Sequence, residues 1–121
     1  MKIALVEDDD WYAKMISHHI ELNPAFSSDI FNTAQSFLKS RKSFDAIIMD
    51  YGLPDLDGLN LLKSIRNQHP TIQVIVLSGQ DDVKVAIDLL KEGAFEYVVK
   101  DDNAKDRVWN SLVQISERIQ M

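Results

Sequence analysis

The chain has 121 residues, enough for one domain with a substantial core and no covalent staples. Apolar residues make up 45% and charged residues 26%, and the net charge of −6 argues against nucleic acid or an anionic membrane surface as a direct partner. The absence of cysteine excludes a disulfide framework, a thiol nucleophile and a cysteine zinc site.

Met1-Lys2-Ile3-Ala4-Leu5-Val6-Glu7-Asp8 turns acidic too early for a signal peptide and reads as a first strand. No apolar run approaches the ~20 residues of a membrane span. The expected location is the cytoplasm, with no membrane partner. Further short apolar runs occur at Ala46 to Met49, Val74 to Leu77 and Tyr97 to Val99, and Ser28 to Phe31 is a weaker, edge-strand candidate. Runs rich in Val and Ile without polar alternation suit strands buried on both faces of a parallel sheet.

Five helical segments lie between and after these runs. The first starts after Asp9 or Asp10 as cap, with Tyr12, Met15, Ile16 and Ile20 on one face. The second starts near Asn32 or Thr33, with Ala34, Phe37 and Leu38 inward. The third runs from about Gly58 to Gln68, with Leu61, Leu62 and Ile65 inward, and Pro70 stops it. The fourth starts after Asp81 or Asp82, with Val83, Ala86, Ile87 and Leu90 at helical spacing and Gly93 as a left-handed cap. The last starts after Asn103, with Val108, Leu112, Ile115 and Ile119 in one stripe. The alternation predicts an α/β, (βα)₅ doubly wound parallel sheet, with the flavodoxin-like strand order 2-1-3-4-5. Residues 1–121 are assigned to this one domain, with nothing left for a second.

The residues at the C-terminal ends of the apolar runs carry the chemistry. Glu7 and Asp8 come directly after the first strand, Asp50 after the third, Ser78 after the fourth and Lys100 after the fifth. In a doubly wound sheet these strand ends share one edge, where ligands bind. One Asp after a strand is ordinarily a helix cap, but three carboxylates brought together repel one another unless a cation offsets them. Hard oxygen donors without His or Cys favour Mg²⁺. An ionised Asp beside such an ion is a nucleophile toward phosphorus, with Lys100 and Ser78 available for phosphoryl oxygens. Other notable side chains have simpler readings. His18, His19 and His69, with Lys39, Lys63 and Arg66, read as solvated surface, Trp11 and Trp109 as packing or partner surface, and Asp55 and Asp57 as loop and cap residues.

These residues resemble the receiver domains of two-component response regulators over essentially the full length. Glu7-Asp8 is similar to the family's metal-binding acid pair. Asp50-Tyr51-Gly52-Leu53-Pro54-Asp55-Leu56-Asp57-Gly58 is similar to its phosphoacceptor stretch, D-x₃-P-x₂-D-G. Ser78-Gly79 resembles the Thr/Ser-Ala/Gly pair, Lys100 the lysine after the fifth strand and Tyr97 the switch aromatic.

The resemblance implies that Asp50 accepts a phosphoryl group from the phosphohistidine of a histidine kinase or histidine phosphotransfer protein. It implies Mg²⁺ held by Asp8, Asp50 and the Gly52 carbonyl, with Glu7 acting through a metal-bound water. Ser78 and Lys100 would contact the phosphate. Ser78 and Tyr97 would then reshape the surface of the fourth helix, fifth strand and fifth helix for an output domain or a homodimer. The chain would catalyse only its own phosphotransfer and dephosphorylation, whose lifetime Gly52 and Gln80 would modulate. Lys100 precedes Asp101 where the family usually has proline, which leaves the intervening peptide bond cis or trans. The stretch from Ser78 through Val83 to Gly93-Ala94-Phe95 also resembles receivers of enhancer-binding transcription activators.

Three other readings are weaker. A haloacid-dehalogenase-type phosphatase needs an Asp where Gly52 stands. A flavodoxin needs a phosphate-cradling loop where Glu7-Asp8-Asp9-Asp10 stands. A pseudo-receiver that binds partners without phosphorylation would not need the complete residue set.

Overall fold

The computed structural model describes residues 1–120. In chain order the elements are β1 (Lys2–Val6), α1 (Asp10–Ile20), β2 (Ser27–Phe31), α2 (Ala34–Lys39), β3 (Ala46–Asp50), α3 (Gly58–Gln68), β4 (Gln73–Ser78), α4 (Val83–Lys91), β5 (Glu96–Val99) and α5 (Ala104–Gln120). The five strands form one parallel sheet in the order β2-β1-β3-β4-β5, as expected from the alternation. The register pairs Val6 with Met49, Asp50 with Leu77 and Ser78 with Val99, so the chemically loaded strand ends reach one edge together.

Alternate residues of each central strand feed two separate cores. Ile3, Leu5, Ile48, Ile75 and Leu77 face α1 and α5, meeting Ile16, Ile20, Val108, Leu112 and Ile115. Ala4, Val6, Ile47, Met49, Val74 and Val76 face α2, α3 and α4, meeting Phe37, Leu61, Leu62, Ile65 and Leu89. Capping side chains set the helix starts: Asp9, Thr33, Asp57 and Asp82 each accept from a backbone N–H three residues on.

Several inward assignments differ from the sequence reading. In α4 the expected stripe mostly faces solvent. Val83 is 68% exposed and Ile87 and Leu90 45%, whereas Leu89 is buried. The helix is apolar on most sides, so spacing alone could not select the face that docks. Met15 in α1 and Ile119 in α5 are likewise exposed, and Ala13 takes the buried place in α1.

Arg66 is also not a solvated surface residue. Its guanidinium donates to the carbonyl of Ile72 at 2.7 Å and to that of Gly93 at 2.7 Å, tying α3 to the α4–β5 turn. His69 packs on Phe37 at 6.0 Å between ring centroids, and His19 on Trp109 at 5.4 Å, so only His18 among the histidines is exposed. Trp109 is a packing residue, in contact with Phe26 as well, while Trp11 is 77% exposed.

Gly93 caps α4 at φ +103°, and a Cβ there would lie 3.0 Å from Arg66 Nε. Gly93→Ala therefore combines left-handed backbone strain with displacement of the Arg66 clamp. We expect it to lower unfolding free energy by about 1–2 kcal/mol, measured by urea denaturation. An unchanged midpoint would contradict this reading of the turn.

Candidate functional site

Glu7 is the first residue beyond β1, and its backbone N–H extends the ladder by donating to Phe31 O at 2.9 Å. That fixes its side chain inward at 1% exposure. Its Oε1 accepts from Lys100 Nζ at 2.5 Å and its Oε2 from the Asp9 N–H at 3.1 Å. Asp8, next in the chain, is exposed at the rim.

Asp50 ends β3 and is 7% exposed. Its Oδ1 accepts from the Gly52 N–H at 3.3 Å and lies 3.4 Å from Lys100 Nζ. Glu7, Asp8 and Asp50 each bring a carboxylate oxygen to within 4.8 Å of the others. A set of close, hard oxygen donors without His or Cys fits a divalent cation of the Mg²⁺ kind.

Lys100 lies just past β5, and its N–H donates to Ser78 O at 2.7 Å, which aligns the ends of β4 and β5. Its ammonium bridges the Glu7 and Asp50 carboxylates and sits 4.5 Å from the centroid of the Tyr12 ring. Ser78 ends β4, is 3% exposed, and accepts from the Gln80 N–H at 3.2 Å. Asp50, Gly52, Ser78 and Gln80 line an open cleft of about 740 Å³. Tyr97 lies at the rim, where its hydroxyl donates to the Gln80 carbonyl at 2.5 Å. All peptide bonds among the described residues are trans, Lys100–Asp101 included.

Burial pushes the Glu7 carboxyl up to about 7, against the opposing Lys100 hydrogen bond. Burial works downward on the Lys100 ammonium, but the Glu7 hydrogen bond and the charges of Asp50 and Glu7 outweigh it and raise its pKa.

The structure thus brings together every residue singled out at the strand ends. It also adds supports that the sequence does not disclose. Asn32 Nδ2 donates to Glu7 O at 3.2 Å and to Asp10 Oδ1 at 2.8 Å, pinning the acidic loop. Asp55 caps α2 from a distance, accepting from the N–H groups of Ala34 at 3.1 Å and Gln35 at 3.0 Å. Nothing local signals that pairing across 20 residues of chain. Asp57 caps α3, and at Gly58 any Cβ would run into the Tyr51 ring, which explains glycine there. Tyr12, expected only on the apolar face of α1, also meets Lys100, a contact that spacing along the chain does not signal.

Residues 3–109 match the response regulator receiver domain. The chain belongs to this family. It is 36% identical over 105 residues to the protein RcaC of Microchaete diplosiphon, covering 83% of this chain and 16% of that protein. It is 33% identical over 97 residues to the DNA-binding transcriptional regulator NtrC of Proteus hauseri, covering 78% and 20%. Each alignment thus spans a fifth or less of the relative's own length. The solved receiver domain of Francisella response regulator 1452 superposes with a TM-score of 0.87 at 28% identity, covering 98% of both chains. Receiver domains serve two-component phosphorelay signalling, bind Mg²⁺ in general, and interact with histidine kinases and output domains. Among the described residues no helix is long and apolar enough to cross a membrane.

The raised Glu7 pKa fixes the sign of a pH dependence. Between its ordinary value of 4.5 and about 7, the folded protein holds a proton that the unfolded chain has released. Metal-free stability should therefore fall as pH rises through that window. Asp55 is held below its ordinary 3.8 by the Gln35 and Ala34 N–H groups, and Asp57 by the Asn60 backbone and side chain. Their stabilisation is lost as pH falls below that value, a separate window. Urea denaturation in a chelator from pH 4.5 to 8 should show the decline, and Glu7→Gln should flatten it. A rise over that range would contradict the assignment.

Proposed function

We propose that this receiver domain takes a phosphoryl group on Asp50 from the phosphohistidine of a histidine kinase or histidine phosphotransfer protein. The observation that carries the reading is the convergence of Glu7, Asp8 and Asp50 on one another, with the Lys100 ammonium against Glu7 and Asp50. Asp8, Asp50 and the Gly52 carbonyl would hold Mg²⁺, with Glu7 reaching it through a water. When bound, the ion supplies charge neutralisation and a fixed place for one phosphoryl oxygen.

Asp50 attacks phosphorus through a carboxylate oxygen, the P–N bond breaks, and its electron pair stays on the donor imidazole, which takes a proton. Lys100 already faces Asp50 and pairs with a second phosphoryl oxygen. The Ser78 hydroxyl donates to a third, giving up its present contact with the Gln80 N–H.

That exchange links the site to the surface. Gln80 is joined to Ser78 through its N–H and to Tyr97 through its carbonyl. Movement of Ser78 toward the phosphate therefore biases Tyr97 and, with it, the α4, β5 and α5 surface. The exposed Val83, Ile87 and Leu90 on α4 give that surface an apolar area for an output domain or a second copy. Gly52 stands where an external phosphatase would need its acid/base, which supports self-phosphotransfer and autodephosphorylation as the only catalysis. We place this activity in the cytoplasm.

Incubation with acetyl phosphate and Mg²⁺ should give a labile adduct of about 80 Da by intact mass. Asp50→Asn should abolish it, and Lys100→Ala should slow its formation about tenfold or more. If wild type takes no adduct from acetyl phosphate or from histidine kinases, the chain is a phosphorylation-independent binding module. An adduct that persists in Asp50→Asn would move the acceptor elsewhere.

A further inference from the structure

We propose that Tyr12 is a positioning residue for Lys100: its ring forms the face against which the lysine ammonium is held between Glu7 and Asp50. The proposal rests on the reading of Lys100 as a phosphoryl-binding group.

Lys100 comes from the loop after β5, a flexible side chain of which 20% remains exposed. Two carboxylates hold it on one side, Glu7 at 2.5 Å and Asp50 at 3.4 Å. Both are also candidates to face a metal ion, so neither is free to hold the lysine alone once the site is in use. The third neighbour is the Tyr12 ring, with its centroid 4.5 Å from Nζ, inside the range of a cation–π contact. Tyr12 is in the first turn of α1, whose start is fixed by the Asp9 cap at 3.1 Å to the Tyr12 N–H itself. The same backbone group therefore anchors the ring and closes the acidic loop.

The hydroxyl of Tyr12 sharpens the inference. It is buried and has no hydrogen-bond partner among the described residues. A buried hydroxyl without a partner is a cost to the fold. The useful part of the side chain is therefore the ring face toward Lys100. An aliphatic residue would fill much of the same space beside Ala104 and Met15 but would offer no electron-rich surface to an ammonium. A cation drawn to a fixed ring is also pre-oriented toward Asp50, so fewer lysine rotamers must be lost when the phosphoryl group arrives.

The test compares Tyr12→Phe with Tyr12→Leu in the full chain. The ring should shift the Lys100 ε-methylene protons upfield in the NMR spectrum of wild type. Tyr12→Phe should keep that shift and phosphorylate from acetyl phosphate within about twofold of wild type. Tyr12→Leu should lose the shift and phosphorylate about three- to tenfold more slowly through kcat, with KM for acetyl phosphate little changed. A merely structural role would lower the thermal stability of Tyr12→Leu without slowing phosphorylation at a temperature where the variant stays folded. Wild-type rates in Tyr12→Leu, or a Tyr12→Phe variant as slow as Tyr12→Leu, would overturn the proposal. If wild type takes no phosphoryl group on Asp50, the functional reading fails instead, and the lysine shift still reports whether Lys100 lies over the Tyr12 ring.

Discussion

The structure depends on one electrostatic constraint: buried acids at a sheet edge must have a cation. Glu7 and Asp50 are almost wholly removed from water, and the Lys100 ammonium lies between them. A buried carboxylate without a partner is strongly disfavoured. The raised pKa of Glu7 shows that one lysine compensates this only in part. A fold built solely for stability would gain little from such an arrangement. A site that admits a divalent cation and a phosphoryl group would use it, because each added charge of the right sign relieves the strain left by the others.

The loops around the site hold this arrangement in place. Asn32 fixes the acidic turn from β2, Asp55 fastens the β3–α3 loop to the start of α2, and the Tyr51 ring lies on Gly58. These contacts converge from separate elements, so the carboxylates have little freedom to move apart and escape their repulsion. By contrast, α4 is lightly anchored. It buries Leu89, is tied at its end through Arg66 and Gly93, and leaves an apolar face in solvent. The acid-bearing loops are thus tied from several elements, whereas α4 leaves much of its apolar surface in solvent.

Much of this is legible in the chain. Glu7, Asp50, Ser78 and Lys100 mark strand ends because polar residues interrupt apolar runs only where the sheet stops. Parallel pairing then has to bring them to one edge. The caps Asp9, Thr33 and Asp82 are readable to within one residue, and Asp57 as one of two loop and cap residues, because they act on their own helices. The features that escape a reading of the sequence depend on distance along the chain or on a choice between similar faces. Asp55 caps a helix that precedes it, Arg66 reaches the carbonyl of Gly93, and Tyr12 meets Lys100 only after the sheet has assembled. In α4, Leu89 and Leu90 are equally apolar, and only packing against the sheet decides which is buried.

The central claim is that the acid cluster is a divalent-cation site made jointly by separate strand ends. Titration of Mg²⁺ into the isotope-labelled protein, monitored by backbone amide shifts, tests it most directly. The account predicts one saturable set of shifts centred on Glu7, Asp8, Asp50 and Gly52, weakened strongly by Asp8→Asn and by Asp50→Asn alike. Shifts scattered over the acidic surface, or a titration that neither substitution alters, would contradict it.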